Sequence, residues 1–137
     1  MRLVQLIAED GMPFDHVKTS IGLTYAMMIA GDGLKRIAAY AHGLGPQKSL
    51  VVPRDGQGRS LAPTDLIARA KAQGLAVHPW TFRAENHFLP AELKCGDDPR
   101  AHGAVITELM QFRALGVDGW FCDHPGLAAV AREAWDT

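Results

Sequence analysis

Four short apolar runs divide the chain, and each is rich in β-branched or aromatic residues. They are LVQLIA at 3–8, LVVP at 50–53, AVHPWT at 76–81 and GWFCD at 119–123. Short continuous apolar runs are typical of strands that are buried on both faces of a parallel sheet. The pattern therefore predicts four parallel strands.

Apolar residues recur at helical spacing in the segments between these runs and after the last one. Each such stripe predicts an amphipathic helix. The stripes are Leu34, Ile37, Ala38 and Ala41; Leu66, Ile67 and Ala70; Val105, Ile106, Leu109, Met110 and Phe112; and Leu127, Val130, Ala131 and Ala134. The expected boundaries are Gly43 and Gly45-Pro46 at the end of the first helix, Pro63-Thr64-Asp65 at the start of the second, Gly74 and Gly116 after the second and third, and Pro125 at the start of the fourth.

Strands and helices alternate along the chain, and the connection from each helix to the next strand is short. Parallel strands need crossover connections, so this alternation predicts an α/β fold with about four βα units. The longer connectors, 9–32, 54–62 and 82–100, all follow strands. They therefore lie at the carboxyl ends of the strands, where α/β proteins bind ligands. Residues 24–29 in the first connector are expected to hold some helix.

Composition narrows the range of partners. The 137 residues suit one compact domain, and 14 basic against 15 acidic residues give a formal charge of -1. The sequence has no run of Lys or Arg that would follow a phosphate backbone, so nucleic acid is not an expected partner. Cys95 and Cys122 match no zinc spacing and are expected to be free thiols.

The first residues, MRLVQLIAEDG, carry one basic side chain and a short apolar run. This run is too short for the apolar region of a signal peptide and for a membrane span. The expectation is a cytoplasmic protein without a membrane span, with a periplasmic location left open for a longer parent protein.

Four segments, taken in order, carry a resemblance to a known family. They are LVQL at 3–6, IAAYAHGLGPQK at 37–48, GLAVHPWTFRAENHFLP at 74–90 and GVDGWFCDHP at 116–125. Together they resemble the closing part of the glycerophosphodiester phosphodiesterase family. The resemblance implies an eight-stranded (β/α) barrel that hydrolyses glycerophosphodiesters to glycerol 3-phosphate and an alcohol, usually with a divalent cation such as calcium or magnesium.

By this resemblance the chain begins at the fifth strand of the family. It implies that residues 1–137 form one partial domain, the C-terminal half of a TIM (β/α)8 barrel that normally needs about 250 residues to close. The family's His-Arg-Gly segment and acidic metal ligands have no counterpart here, and Glu92-Leu93-Lys94 lies in a Pro-bounded connector outside the family's Glu-x-Lys position. No catalytic residue, metal ligand or cofactor is therefore expected in this chain, and the isolated chain is expected to be inactive.

Five residues are expected to line the substrate side of the site. His78 and Trp80 share one face near the end of the third strand, because alternate strand residues point the same way. Arg83 follows that strand end, and its planar fork suits a phosphate. Gln5 is a polar residue in an apolar run, and Asp123 ends the fourth strand beside a helix start. Structural roles stay open for all five: a core His and Trp, a surface Arg, a strand-end amide and a helix-capping Asp.

A metal site is a further alternative for part of this set. His78, Glu85, His87, Asp123 and His124 carry suitable side chains, and Glu85 and His87 alternate along the chain. Their spacing fits neither a helical H-E-x-x-H motif nor a closed zinc site. The sequence therefore favours a substrate wall over a metal centre.

Half of a closed barrel has two unpaired edges, here the LVQLIA and GWFCD strands. Such edges and the apolar side chains beside them predict either a homodimer or a complex with a complementary N-terminal half. Two other functions remain open. One is a module that binds glycerol phosphate or another small anion without turnover, and the other is a half-barrel fragment that only folds and self-associates.

Overall fold

The computed structural model describes residues 1–136, with side chains described as far as residue 134. Its sheet has three parallel strands in the order β1 (Val4–Ile7), β2 (Gly43–Pro46) and β3 (Ala76–Val77). In the register, Val4 pairs with Gly43 and Gly43 with Ala76. The prediction of an α/β fold with parallel strands is confirmed.

Six helices accompany the strands, and the last four follow the predicted apolar stripes. The connector after β1 holds two short helices, one of them at the segment where helix was expected, and the long connector after β3 contains two single 3-10 turns, 86–88 and 91–93. The helices are α1 (Phe14–Thr19), α2 (Tyr25–Met28), α3 (Gly33–Ala38), α4 (Leu66–Ala72), α5 (Val105–Ala114) and α6 (Pro125–Asp136).

Several of the expected helix boundaries are confirmed. Asp65 precedes α4, and its carboxylate accepts a hydrogen bond from Nε of Arg69 at 2.9 Å. Gly74 and Gly116 follow α4 and α5 with φ of 75° and 97°, the left-handed conformation that glycine adopts without steric cost. Pro125 is the first residue of α6.

The predicted second strand at 50–53 is wrong. The strand is Gly43–Pro46, which the sequence pattern assigned to the end of a helix, and residues 48–50 form a 3-10 turn. The apolar character of the 50–53 run instead reflects core packing, because Val51 is fully buried without belonging to a strand. Glycine contributes no side chain to a hydrophobic count, so a glycine-rich strand leaves no apolar run to detect.

The fourth predicted strand, at 119–123, is wrong as a regular strand but right in position. The segment lies beside the end of β3, where Phe82 and Cys122 form an isolated parallel bridge. Its backbone donates from Phe121 N to Pro79 O at 3.0 Å and accepts from Phe82 N at 2.9 Å. Pro79 has no backbone N–H to donate to the 119–123 segment, and this interrupts the hydrogen-bond ladder between that segment and the end of β3.

The two faces of the sheet differ in burial. Ile7, Leu44 and Val77 are completely buried, and with residues of α3 to α6 they form the hydrophobic core; we call this side the helix face. On the opposite side Val4 and Leu6 are 41% and 50% exposed. We call that side the open face. The expectation of strands buried on both faces therefore holds for one face only.

Candidate functional site at the carboxyl ends of the strands

An open pocket of about 430 Å³ lies where the three strands end. Each strand contributes to it through the residues that follow its last pair, and the connector after β3 supplies the far wall. This is the edge at which parallel α/β sheets bind ligands. The lining residues are Glu9, Gln47, Lys48, Ser49, Arg54, Trp80, Thr81, Arg83 and Phe88.

Trp80, one of the predicted wall residues, lies at the junction of this pocket and the open face. Its indole N–H donates to the carbonyl of Gly45 at 2.6 Å, and its backbone bridges to Gln47. Trp80 also borders a shallow apolar hollow of about 330 Å³ with Leu6 and Phe121. Its ring is thus held in place while one part of it remains available to a ligand.

A buried ion cluster supports the same pocket. Glu108 of α5 is only 3% exposed, and both of its carboxylate oxygens lie 2.9 Å from Nζ of Lys48. Arg54 approaches the same carboxylate at 3.4 Å through Nη2, which also donates to the carbonyl of Phe88 at 2.9 Å. One buried carboxylate therefore holds two cations that border the pocket.

Lys48 is fully engaged inside the protein. Besides the two carboxylate contacts, its ammonium donates to the carbonyl of Phe88 at 3.3 Å, and an ammonium has three N–H donors. Burial lowers the pKa of Lys48, and the adjacent Glu108 partly opposes that shift. The side chain consequently connects the end of β2, the connector after β3 and helix α5.

Arg83, the predicted phosphate ligand, lies on the far wall of the pocket. Its Nε donates to Oδ2 of Asp123 at 2.6 Å, and its guanidinium stacks on the ring of Phe88 with Cζ 4.6 Å from the ring centre. Both side chains are partly exposed. Asp123 thus contacts the pocket through Arg83, in addition to lying just before α6.

Gln5 and His78 lie outside the pocket lining. Gln5 accepts a hydrogen bond from the Tyr40 hydroxyl at 2.7 Å and donates to the carbonyl of Leu6, so its amide is already paired. The His78 ring packs edge-on to Phe121 at 6.4 Å, and an added Cβ at Gly119 would come within 3.1 Å of it. The structure therefore gives these two residues packing partners of their own.

The residues considered as metal ligands form a pair instead of a cluster. Glu85 Oε2 lies 3.2 Å from Nε2 of His124, whose ring packs against that of His102 at 5.1 Å. A backbone N–H and His124 hold the pKa of Glu85 below its usual value. Within the described part of the chain no three His, Cys, Asp or Glu side chains converge as metal ligands. These residues do not fit the divalent cation implied by the resemblance.

Sequence reasoning missed the cluster of Lys48, Arg54 and Glu108. One signal was present: Glu108 interrupts the apolar stripe of α5 between Val105 and Phe112, on the face that packs into the core. An acidic residue at a core position requires a cationic partner. The identity of the partner is nonlocal, since Lys48 lies 60 residues away along the chain.

Comparison with known proteins adds an independent line of evidence. The sequence pattern of the glycerophosphoryl diester phosphodiesterase family matches residues 2–127. The chain is also 39% identical over 103 residues to a glycerophosphodiester phosphodiesterase of Arabidopsis thaliana. That match covers 75% of this chain and 26% of the plant protein, so the chain corresponds to about a quarter of its relative. None of the described helices is long and apolar enough to cross a membrane. The chain belongs to the glycerophosphoryl diester phosphodiesterase family.

Proposed function

We propose that this chain forms the substrate-binding wall of a glycerophosphodiester phosphodiesterase, an enzyme that hydrolyses glycerophosphodiesters to glycerol 3-phosphate and an alcohol. The observation that carries the proposal is the pocket at the strand ends, which combines the guanidinium groups of Arg54 and Arg83 with the indole of Trp80. Guanidinium groups match phosphate oxygens, and an indole offers an apolar surface to the carbon chain of a glycerol-like group. Family membership supports the same substrate class.

Hydrolysis of a phosphodiester also needs a proton acceptor for the attacking water and a proton donor for the leaving alkoxide. Glu9 lines the pocket, where Gln47 at 3.2 Å and Ser49 at 3.0 Å both donate to its Oε2, and it belongs to none of the family's catalytic segments. His78 lies outside the lining. The chain is therefore proposed to bind and orient the substrate, while residues beyond it transfer the protons and hold any divalent cation.

The half-barrel arrangement is part of this proposal. β1 and the 119–123 segment are the two outer members of the parallel array, and Leu6 and Phe121 on the open face are 50% and 43% exposed. In a closed barrel these positions face the packed interior. We propose that a complementary N-terminal half, or a second copy of the chain, covers them.

The isolated chain is expected to hydrolyse glycerophosphocholine no faster than buffer, with or without added calcium or magnesium. A chain that carries the first four βα units of the family is expected to restore turnover when the two are mixed. The measurement is release of glycerol 3-phosphate by a coupled assay. Robust hydrolysis by the isolated chain that is lost in His78→Ala would contradict the proposal. A mixture in which this chain carries Trp80→Ala tests the pocket, and its turnover is expected to be at least tenfold slower.

In the absence of a complementary half, the chain is expected to form a homodimer. Light scattering after size exclusion at micromolar concentration should give about twice the 14.8 kDa of one chain. Leu6→Lys places a charge on the exposed edge strand and is expected to shift the population to monomer. A folded monomer of the unsubstituted chain, shown by circular dichroism and mass together, is the contrary outcome.

A binding module without turnover is the second candidate. It is favoured by the same pair of guanidinium groups, since they bind an anion whether or not a reaction follows. Isothermal titration with glycerol 3-phosphate should show saturable binding in either case. Turnover after mixing with the complementary half then separates the enzyme from the binding module.

A further inference from the structure

We propose that Arg54 and Arg83 form an oxyanion subsite on either side of Phe88, and that Lys48 is a positioning residue that does not contact the anion. The ligand is a phosphate group, and a carboxylate, which is planar and carries less charge, is the weaker alternative. The inference deepens the proposed function, because it rests on that function for the identity of the natural ligand. It names the groups that take the negative charge.

Arg54 lines the pocket, and among the described residues only its Nη2 has hydrogen-bond partners. Its contacts to the Phe88 carbonyl and to Glu108 both run through Nη2, whereas a guanidinium carries five N–H donors. The side chain is 27% exposed, which leaves one edge open to the pocket. Glu108 and Phe88 thus fix the orientation of the fork without occupying its remaining donors.

Arg83 is held in the corresponding way from the other side. Asp123 takes only Nε, and the stacking on the Phe88 ring fixes the plane of the guanidinium. The two terminal nitrogens have no recorded partner among the described residues. The guanidinium groups of Arg54 and Arg83 therefore border one pocket, and both contact Phe88. Guanidinium groups held in this way can bind the oxygens of an anion in pairs.

Lys48 is also cationic and lines the pocket, yet its three donors are taken by Glu108 and the Phe88 carbonyl. Lys48, Arg54 and Arg83 all line the pocket, and all three contact Phe88. A ligand that bound Lys48 would have to break a buried ion pair. Lys48 therefore sets the position of Phe88, and through it the spacing of the two forks.

The charges around the subsite favour an anion. Lys48, Arg54 and Arg83 carry three positive charges, and their direct partners Glu108 and Asp123 carry two negative ones. A surplus of one positive charge remains on this wall. Glu9 is the opposing carboxylate of the lining, and hydrogen bonds from Gln47 and Ser49 hold it beside the end of β2.

The test is titration of the full chain with inorganic phosphate, with the backbone amides monitored by 15N heteronuclear NMR. We expect saturable shifts centred on Phe88 and its neighbours. Arg54→Gln and Arg83→Gln should each weaken phosphate binding about tenfold or more, because each removes a charged fork. Arg54→Lys and Arg83→Lys keep the charge and lose the fork, and they should recover only part of the affinity. Glu9→Gln should strengthen binding, since it removes the opposing charge.

Arg100→Gln is the matched control, because Arg100 carries the same charge on a side chain that is 92% exposed and does not line the pocket. It should bind phosphate as the unsubstituted chain does. Thermal melting of each variant identifies any loss of fold. If Arg54→Lys and Arg83→Lys bind phosphate as tightly as the unsubstituted chain, binding depends on positive charge alone, and the proposed role of the guanidinium geometry is wrong. Should Arg54→Gln and Arg83→Gln bind phosphate unchanged, the subsite would be wrong.

This outcome is separable from that of the proposed function. If phosphate binding depends on both arginines but the mixed halves do not hydrolyse the substrate, the subsite is supported and the enzymatic function is contradicted. If the mixed halves hydrolyse the substrate but phosphate binding does not change in the Arg54 and Arg83 variants, the enzymatic function is supported and the subsite is contradicted. Acetate, titrated in parallel, should bind more weakly than phosphate at pH 8, where phosphate is largely dianionic.

Discussion

Glu108→Gln is expected to lower the free energy of unfolding by about 3–5 kcal/mol, because it leaves two cations beside a buried neutral amide. Glu108 is 3% exposed, and the side chains of Lys48 and Arg54 are 13% and 27% exposed, so water cannot replace the lost charge fully. Urea denaturation followed by far-ultraviolet circular dichroism measures the change. Phosphate affinity should fall as well, since Arg54 loses the partner that orients it.

Two further variants give this prediction its controls. Glu133→Gln removes the same charge from an exposed position of α6 and should change stability by no more than about 0.5 kcal/mol. The double variant Lys48→Met with Glu108→Leu replaces the closer pair by apolar groups and should recover part of the loss, since Arg54 alone is then left without its carboxylate. Equal stabilities for Glu108→Gln and Glu133→Gln would show that the cluster contributes nothing.

Asn86→Ala is expected to cost about 2–4 kcal/mol, because one buried amide organises the connector after β3. Asn86 is 2% exposed; its amide nitrogen donates to the carbonyls of Cys95 at 2.8 Å and Asp98 at 2.9 Å, and its oxygen accepts from Cys95 N at 2.9 Å. The connector carries Arg83 and Phe88, so phosphate binding should weaken together with stability. Urea denaturation and the NMR titration measure the two effects.

Gln111→Ala is the matched amide, since Gln111 is exposed on α5, and it should behave as the unsubstituted chain. Asn86→Asp keeps the acceptor but loses the donors to two carbonyls, so it should be destabilised nearly as much as Asn86→Ala. If Asn86→Ala unfolds at the urea concentration of Gln111→Ala, the connector is organised by other contacts.

The local features of the fold were predictable from the sequence. Apolar spacing located α3 to α6, and Gly74, Gly116 and Pro125 marked helix ends because their backbone constraints act within a few residues. β2 was not predictable in this way. Its residues Gly43–Pro46 form a strand because of their neighbours on both sides, and no local apolar pattern records that context.

The site divides along the same line. Trp80 and Arg83 were predicted because the first lies near the end of a strand that the sequence reveals and the second follows it. Arg54 and Glu108 were not, because their roles depend on an ion cluster assembled from distant parts of the chain. Only Glu108 was marked in the sequence, as a charged residue on an apolar helix face. A buried charge requires a cationic partner, but the local sequence does not show which residue that partner is.

The glycine at position 45 influences the size of the apolar hollow that Trp80 and Leu6 border. An added Cβ there would approach Cδ2 of Leu6 at 2.6 Å, Cγ1 of Val4 at 3.3 Å and the carbonyl oxygen of His78 at 3.4 Å. The Leu6 atom ends a flexible, half-exposed side chain that can move. The carbonyl of Gly45 anchors the indole of Trp80. Alanine at this position is therefore expected to narrow the apolar hollow beside the indole, and none of the three nearest atoms belongs to a charged side chain. In the proposed site, steric selectivity and electrostatic affinity would thus depend on different residues, and a protein engineer could alter one while keeping the other.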